Sequence, residues 1–306
     1  MTTDSERLAE ADSCHDDDVA RGAELLRSID PATLVDGEAS TYAFLLNHVL
    51  GERLGCWDEA LKRQRRALER PDPKPVMWRH LGAAACAAGD GASLRQAASA
   101  YAAASQADEA RVHEVLQLNA AMYQVPASPA AEAAARTLET IAPMTQIAWQ
   151  SASPLDGAVA AALNNVASGL QDRPLPDLRH PALRMAMEQC AELAHRFWQR
   201  TGNWVHLERA LYLRAMVGNA LGDAPAARRL ALEALAVLDT NDAERAQDVD
   251  RAFIELERAH ACGRLGLSDE AAAANRNAQA ISGAFDDSSL SSWYGSRRAR
   301  LATLPA

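Results

Sequence analysis

The chain has 306 residues, of which 48% are hydrophobic, 24% charged and only 5% aromatic, and this balance excludes a largely disordered protein. The formal net charge of −10 argues against nucleic acid as the main partner, because a phosphate-binding surface needs clustered Lys and Arg. Five cysteines without a CxxC spacing predict a reduced, cytoplasmic protein, and no apolar run is long enough for insertion into a membrane.

Residues 1–40 are predicted to form an acidic N-terminal segment with a leading helix. Its opening, MTTDSERLAEADSCHDDD, lacks the apolar core of a secretory signal. Cys14 and His15 precede the acidic run Asp16–Asp18, a combination that resembles a metal site. Acidic residues that open a helix are also stabilised by the helix dipole, and this second explanation is favoured. We therefore predict no metal site in this segment.

Two helix pairs with one plan follow, over residues 41–74 and 75–111. Gly55 and Gly89 lie 34 residues apart, and each stands where a first helix should end, because glycine adopts the left-handed conformation without a Cβ penalty. Behind each glycine comes a stripe of small or aromatic residues spaced for one helix face: Ala60, Ala67, Ala97, Tyr101 and Ala104. These residues are predicted to lie at helix–helix contacts.

The rhythm weakens in a third unit, residues 112–145, where Pro126 takes the place of the glycine. The prolines of GLQDRPLPDLRHP then end one helix and force an extended connection. We predict helices over Leu155–Gln171 and Pro181–Arg200, which form an irregular pair on either side of this Pro-rich loop.

A longer period governs the next segment, because Gly222 and Gly266 lie 44 residues apart. Asp223 and Ser268 come shortly after these glycines and are predicted to be the N-caps of second helices. Alanines again fill the packing stripe: Ala227, Ala234, Ala271 and Ala278.

A last helix is predicted over Leu290–Thr303, with Trp293 and Tyr294 facing inward, and it would cap the array of helix pairs. The predicted organisation therefore has five segments: residues 1–40, 41–150, 151–203, 204–285 and 286–306.

The glycine-ended helix pairs with their alanine stripes resemble the tetratricopeptide repeat (TPR), of the 34-residue type in the N-terminal half and of a long-helix type in the C-terminal half. The resemblance implies an all-α fold, a right-handed α-α superhelix of antiparallel helix pairs with a concave binding groove. It also implies which first-helix side chains face that groove: Glu52, Arg53, Arg79, His113, Tyr123, Gln124, Asn164, Gln171, Arg209, Tyr212, Asn219, His260 and Arg264. For each of these residues taken singly, a solvated surface position remains the alternative.

Catalytic motifs are absent from the sequence: it contains no phosphate-binding loop, dinucleotide fingerprint, HExxH or GxSxG. His260 and Cys262 lie two residues apart on one helix and cannot readily share a metal ion. The groove type that binds chaperone tails is also set aside, because its Lys-x-x-x-Asn positions correspond here to the apolar Leu45 and Val49.

The sequence therefore predicts a cytoplasmic, non-enzymatic scaffold, bacterial in its Ala- and Arg-rich composition, that binds a protein or peptide partner in its concave groove. It predicts no cofactor, no nucleic acid partner and no membrane insertion, and it leaves a homo-oligomer open. Two alternatives remain: a regulatory sensor of a peptide or small ligand, and an accessory subunit of an enzyme. The sensor lacks a visible output domain, since the segment before residue 40 is too short and too acidic to bind DNA.

Overall fold

The computed structural model describes residues 2–125, 128–146, 149 and 151–304, so Pro126 lies outside the described residues. Every regular element in these ranges is helical, and no strand occurs among them. The predicted all-α fold class is therefore confirmed, and successive helices contact one another in pairs as expected. None of the described helices is long and apolar enough to cross a membrane.

The chain divides into two compact units, the first within Met1–Pro129 and Glu139–Leu155, the second within Ala130–Leu138 and Asp156–Ala306. The first unit contains α1 (Asp4–Cys14), α2 (Val19–Ser28), α3 (Asp36–Leu45), α4 (Trp57–Ala67), α5 (Pro75–Ala88), α6 (Gly91–Ser105) and α7 (Glu109–Gln124). A π-helical segment, Leu46–Arg53, continues α3. Residues of both units form α8 (Ala130–Ile141). The second unit contains α9 (Asp156–Gln171), α10 (Pro181–Thr201), α11 (Trp204–Leu221), α12 (Ala224–Asn241), α13 (Asp248–Arg264), α14 (Ser268–Ser282) and α15 (Ser288–Thr303).

Glycine ends the first helix of four pairs, as predicted. Among the glycines that the structure describes, those with positive φ, between +68° and +79°, are Gly55, Gly89, Gly222 and Gly266. The residue after each glycine donates its main-chain N–H back into the helix, to a carbonyl five positions earlier after Gly89, Gly222 and Gly266. After Gly55 the bond spans six positions, from Cys56 to Leu50 at 2.7 Å, because the preceding segment is π-helical.

The same turn decides where the second helices begin. Asp223 is an N-cap as predicted, and its carboxylate accepts a hydrogen bond from Ala226 N at 3.1 Å. The prediction for Ser268 is wrong, because Leu267 takes the N-cap position and Ser268 is already the first helical residue. The N-cap comes directly after the glycine in both turns, so Ser268 lies one position too late.

Most of the predicted alanine stripe is buried: Ala60, Ala67, Ala97, Ala227, Ala234 and Ala278. Ala271 is half-buried, and the prediction for Ala104 is wrong, because its side chain is exposed. The buried face of α6 instead carries Ala97, Ala98, Tyr101 and Ala102. Position 104 lies in the last turn of α6, seven residues after Ala97 and on the same side of the helix, and its side chain is exposed there.

Ala97→Leu should therefore lower the free energy of unfolding by roughly 1–3 kcal/mol, because the added carbons overpack a closed contact. Ala104→Leu, in the exposed last turn of the same helix, should change it by no more than about 0.5 kcal/mol. Chemical denaturation followed by helical circular dichroism measures both. Equal losses for the two variants would contradict this assignment of the packing face.

The C-terminal helix begins at Ser288 and ends at Thr303, close to its predicted bounds. Tyr294 is buried as predicted, but the prediction for Trp293 is wrong, because this side chain is 56% exposed. Its ring still lies against Phe253, with 4.4 Å between the ring centroids. Neighbouring helix positions point about 100° apart, so Trp293 points to a different side of α15 from the buried Tyr294.

Candidate functional site

Three first helices of the second unit lie side by side. Each of α9, α11 and α13 pairs with the helix that follows it, and α11 contacts both α9 and α13. The last helix, α15, lies against this row. The ring of Tyr294 is 5.5 Å from that of Phe253 on α13, and Arg300 reaches the carboxyl end of α9. We call the surface of α9, α11 and α13 that α15 contacts the inner face.

One side of the C-terminal segment is buried against neighbouring residues. Its buried side chains follow one another at spacings of three or four residues: Tyr294, Arg297, Leu301 and Leu304. This is the pattern of an amphipathic helix that covers a partner surface with its apolar stripe. Arg297 is the charged residue of this stripe. The groups that contact Arg297 therefore determine which side chain the inner face binds at this position.

Arg297 forms a buried ion pair with Glu257 of α13. Its Nε donates to Glu257 Oε1 at 2.5 Å, and the two side chains are 5% and 0% exposed. Asn219 of α11 donates from Nδ2 to Glu257 Oε2 at 2.7 Å and to the Glu257 main-chain oxygen at 3.0 Å. In the orientation of the Gln171 amide that gives both its nitrogen and its oxygen a hydrogen-bond partner, the oxygen accepts from Arg297 Nη1 at 2.5 Å. Four helices thus contribute to one buried guanidinium site.

The ionisation states of this site follow from burial and from the ion pair. Burial alone would lower the pKa of Arg297, but the adjacent Glu257 outweighs it and the pKa is raised, so the guanidinium stays charged. Burial, reinforced by Glu257, raises the pKa of Tyr212, whose phenol therefore stays neutral. Glu257 binds the guanidinium directly, and the negative charge of Asp172 also raises the pKa of Arg297. This arrangement, completed by neutral amide groups, suits the planar, multiply donating guanidinium better than a lysine ammonium.

A second arginine, Arg300, anchors the last turn of α15. Arg300 Nη2 donates to the main-chain oxygens of Gln171 at 2.7 Å and of Arg173 at 2.5 Å. The last carbonyls of a helix lack partners within the helix and carry partial negative charge, so a cation is favoured there. α15 is therefore held by charge at α13 and at the end of α9.

Several residues predicted for the groove belong to the second unit. Two of them contact the Arg297–Glu257 pair, Gln171 through Arg297 and Asn219 through Glu257, and the phenol of Tyr212 on α11 is buried. His260 is half-buried one turn beyond Glu257, and burial lowers its pKa. Asn164 is half-buried, whereas Arg209 and Arg264 are exposed, and Arg209 donates to Asp250 at 2.9 Å.

Glu257 and Arg297 were missed by the sequence analysis. The spacing of Tyr294, Arg297 and Leu301 in SWYGSRRARL was the readable signal, since it places an arginine in the apolar stripe of a helix. Its partner could not be read, because Glu257 lies 40 residues away and nothing in the local pattern of α13 marks a buried carboxylate.

The first unit distributes its predicted groove residues over the π-helical segment, α5 and α7. Glu52, Arg79, His113 and Gln124 are half-buried there. Arg53 is exposed and donates to Asp16 Oδ1 at 3.3 Å. Tyr123 is buried, with its ring 6.0 Å from that of Trp57, so its aromatic face belongs to the packing of this unit.

No protein-family model and no curated protein matches the chain. Among solved structures it is similar to the C-terminal part of a TPR repeat-containing protein from Cytophaga hutchinsonii, with 12% identity, a TM-score of 0.40, and coverage of 91% of this chain and 96% of that chain. The roles assigned below rest on the contacts within this chain.

Proposed function

We propose that the chain is a non-enzymatic protein-binding scaffold whose second unit binds a helical segment of a partner on its inner face. The observation that carries this proposal is that the inner face already holds a helix, α15, through a buried arginine. Helix-in-groove binding uses anchors on one side of an amphipathic helix, and α15 presents such anchors.

The chemistry of the inner face describes the partner. The segment that replaces α15 should carry an aromatic residue, an arginine three positions later and a leucine four positions after that, as Tyr294, Arg297 and Leu301 do. Glu257 would select the arginine, and the ring of Phe253 would receive the aromatic side chain. In this scheme α15 is an internal competitor, so partner affinity is reduced by the fraction of molecules in which the inner face is covered.

The regulatory-sensor alternative shares this geometry, since a ligand that displaces α15 would also release that helix to act elsewhere. We favour the scaffold, because the anchors of α15 are spaced for a helix rather than for a small ligand. Both functions predict that α15 can leave the inner face and be replaced there by the partner or the ligand.

The test introduces a protease site into the connection Gly283–Asp287, so that α15 can be cut from the folded protein. A fluorescent peptide with the sequence of residues 286–304 is then added to cut and uncut protein. We expect the peptide to bind only the cut protein, and the same peptide with Arg297→Ala to bind about 100-fold or more weakly, as expected for the loss of a buried charge pair. Peptide with Ser291→Ala is the control, because Ser291 lies outside the buried stripe.

Two outcomes would overturn the proposal. Cut protein that loses α15, keeps its circular dichroism and still binds no peptide would show that the inner face is not a binding surface. Cut protein that never exchanges α15 for excess peptide would make this helix a permanent part of the core.

A further inference from the structure

A polar cluster in the first unit takes no part in the inner face. His15 directly follows α1, Asp16 lies in the turn to α2, and His48 belongs to the π-helical segment. One ligand atom from each of these residues lies within 4.8 Å of the other two. We propose that His15, Asp16 and His48 bind a divalent first-row metal ion.

The distances in the cluster fit a shared metal ion. His15 Nε2 lies 3.3 Å from Asp16 Oδ2, and His48 Nε2 lies 3.3 Å from Asp16 Oδ1. Two ligand atoms bound tetrahedrally at about 2.0–2.1 Å from a zinc ion are about 3.3–3.4 Å apart.

Both imidazole rings are oriented through their other nitrogen. His15 Nδ1 lies 2.5 Å from the main-chain oxygen of Asp12, and His48 Nδ1 lies 2.7 Å from Glu52 Oε2. A carbonyl and a carboxylate accept hydrogen bonds, so Nδ1–H donates in both rings, and Nε2, which faces Asp16, is the nitrogen left to bind an ion. Carbonyl or carboxylate acceptors behind metal-binding histidines are the usual second layer of such sites.

Packing fixes the rings as well. The His48 ring stacks on Phe44 with 5.7 Å between centroids and 4° between planes, and the His15 ring meets its edge at 5.2 Å. The next residue back, Asn47, donates from Nδ2 to His80 O at 2.9 Å, which ties the π-helical segment to α5. Two of the three ligand side chains are thus held in place before any ion arrives.

Two residues of the acidic run Asp16–Asp18 have different roles: one caps a helix and the other belongs to the polar cluster. Asp18 is the N-cap of α2 and accepts from Arg21 N at 2.9 Å, which agrees with the helix-dipole explanation. Asp16 caps no helix; its carboxylate faces the two histidines and is 68% exposed. The sequence could not show this difference, because His48 lies 32 residues further along the chain.

The charges around the cluster favour a cation. Asp16 and Glu52 bring two carboxylates, against which Arg53 places one guanidinium nitrogen 3.3 Å from Asp16 Oδ1. Arg53 is exposed and can turn into solvent when an ion takes its place beside the carboxylate. Two imidazoles and one carboxylate match Zn²⁺ and its first-row neighbours better than Mg²⁺ or Ca²⁺, and three protein ligands leave a fourth position for water.

The experiment titrates chelator-treated full-length protein with ZnCl₂ by calorimetry and, in parallel, with CoCl₂ by visible absorption. We expect one equivalent to bind. His15→Ala, His48→Ala and Asp16→Asn should each weaken binding by about 100-fold or more, and Glu52→Gln, which only orients His48, by about 10–100-fold. His113→Ala and Cys14→Ser are the controls and should bind as wild type does, the second because it tests the neighbouring thiol directly.

Circular dichroism establishes that each variant is folded. If His48→Ala is unfolded, the effects of His15→Ala and Asp16→Asn on metal binding still test the proposal. An absence of binding by the wild type up to millimolar Zn²⁺ would reduce the cluster to a network of ion pairs and overturn the proposal. Binding that survives both His15→Ala and His48→Ala would place the metal elsewhere and overturn it as well.

Discussion

Replacing Glu257 by glutamine should lower the free energy of unfolding by roughly 3–5 kcal/mol, because it leaves the charge of Arg297 buried without its paired carboxylate. The native pair is almost completely removed from solvent, and Asn219 uses the same carboxylate, so its hydrogen bond at Oε2 is disturbed as well. Chemical denaturation of wild type and variant under identical conditions gives the difference.

A matched control lies on the surface of the same unit. Arg228 and Glu270 form an ion pair at 2.7 Å, but their side chains are 33% and 45% exposed. Glu270→Gln should therefore cost no more than about 1 kcal/mol. A loss for Glu257→Gln as small as the loss for Glu270→Gln would contradict the buried position of this pair.

The double variant Glu257→Leu with Arg297→Met separates charge from packing. Removing both charges leaves neither unpaired, and replacement of a buried ion pair by apolar groups of similar volume is often neutral or stabilising. We therefore expect the double variant to recover most of the stability lost by Glu257→Gln. In the peptide experiment the cut double variant should no longer prefer a peptide with arginine at position 297.

Those features of the fold that depend on local chemistry could be predicted from the sequence. A left-handed turn at the end of a helix needs positive φ, which glycine adopts without strain, and Gly55, Gly89, Gly222 and Gly266 all have it. The wrong predictions concern single residue positions. Ser268 lies one residue after the N-cap, Ala104 lies in the exposed last turn of α6, and Trp293 lies just off the buried side of α15.

Neither polar cluster could be predicted, because each joins residues far apart in the chain. Arg300 binds carbonyls 129 and 127 residues away, and this contact falls outside any repeat period. His48 meets Asp16 through a π-helical segment, in which the wider turn changes the direction of each following side chain. The α-helical periodicity used on the sequence does not describe such a segment.

Stability of the second unit should fall as pH rises from about 5 to 8, and Glu208→Gln should abolish most of this dependence. Glu208 is completely buried on α11, and burial, reinforced by the negative charge of Asp250, raises its pKa from 4.5 to about 8. The folded state therefore keeps a proton that the unfolded state releases above pH 4.5. Each unit of pH in this window then favours unfolding by up to about 1.4 kcal/mol, and the loss ends as pH passes the folded pKa.

The difference between variant and wild type isolates this group. His80 acts in the opposite direction, since burial lowers its pKa to about 3 and stability is lost as pH falls below 6.5, but both proteins contain it. We expect Glu208→Gln to be close to wild type at pH 5 and more stable by on the order of 3–5 kcal/mol at pH 8. Glu233→Gln, which changes the formal charge equally on the exposed side of α12, should follow the wild-type profile.

Parallel profiles for wild type and Glu208→Gln would mean that Glu208 is ionised in the folded protein. The carboxylate would then need a counter-charge, and Arg209 and Arg251, whose charges already act to lower its pKa, are the side chains that would have to supply it.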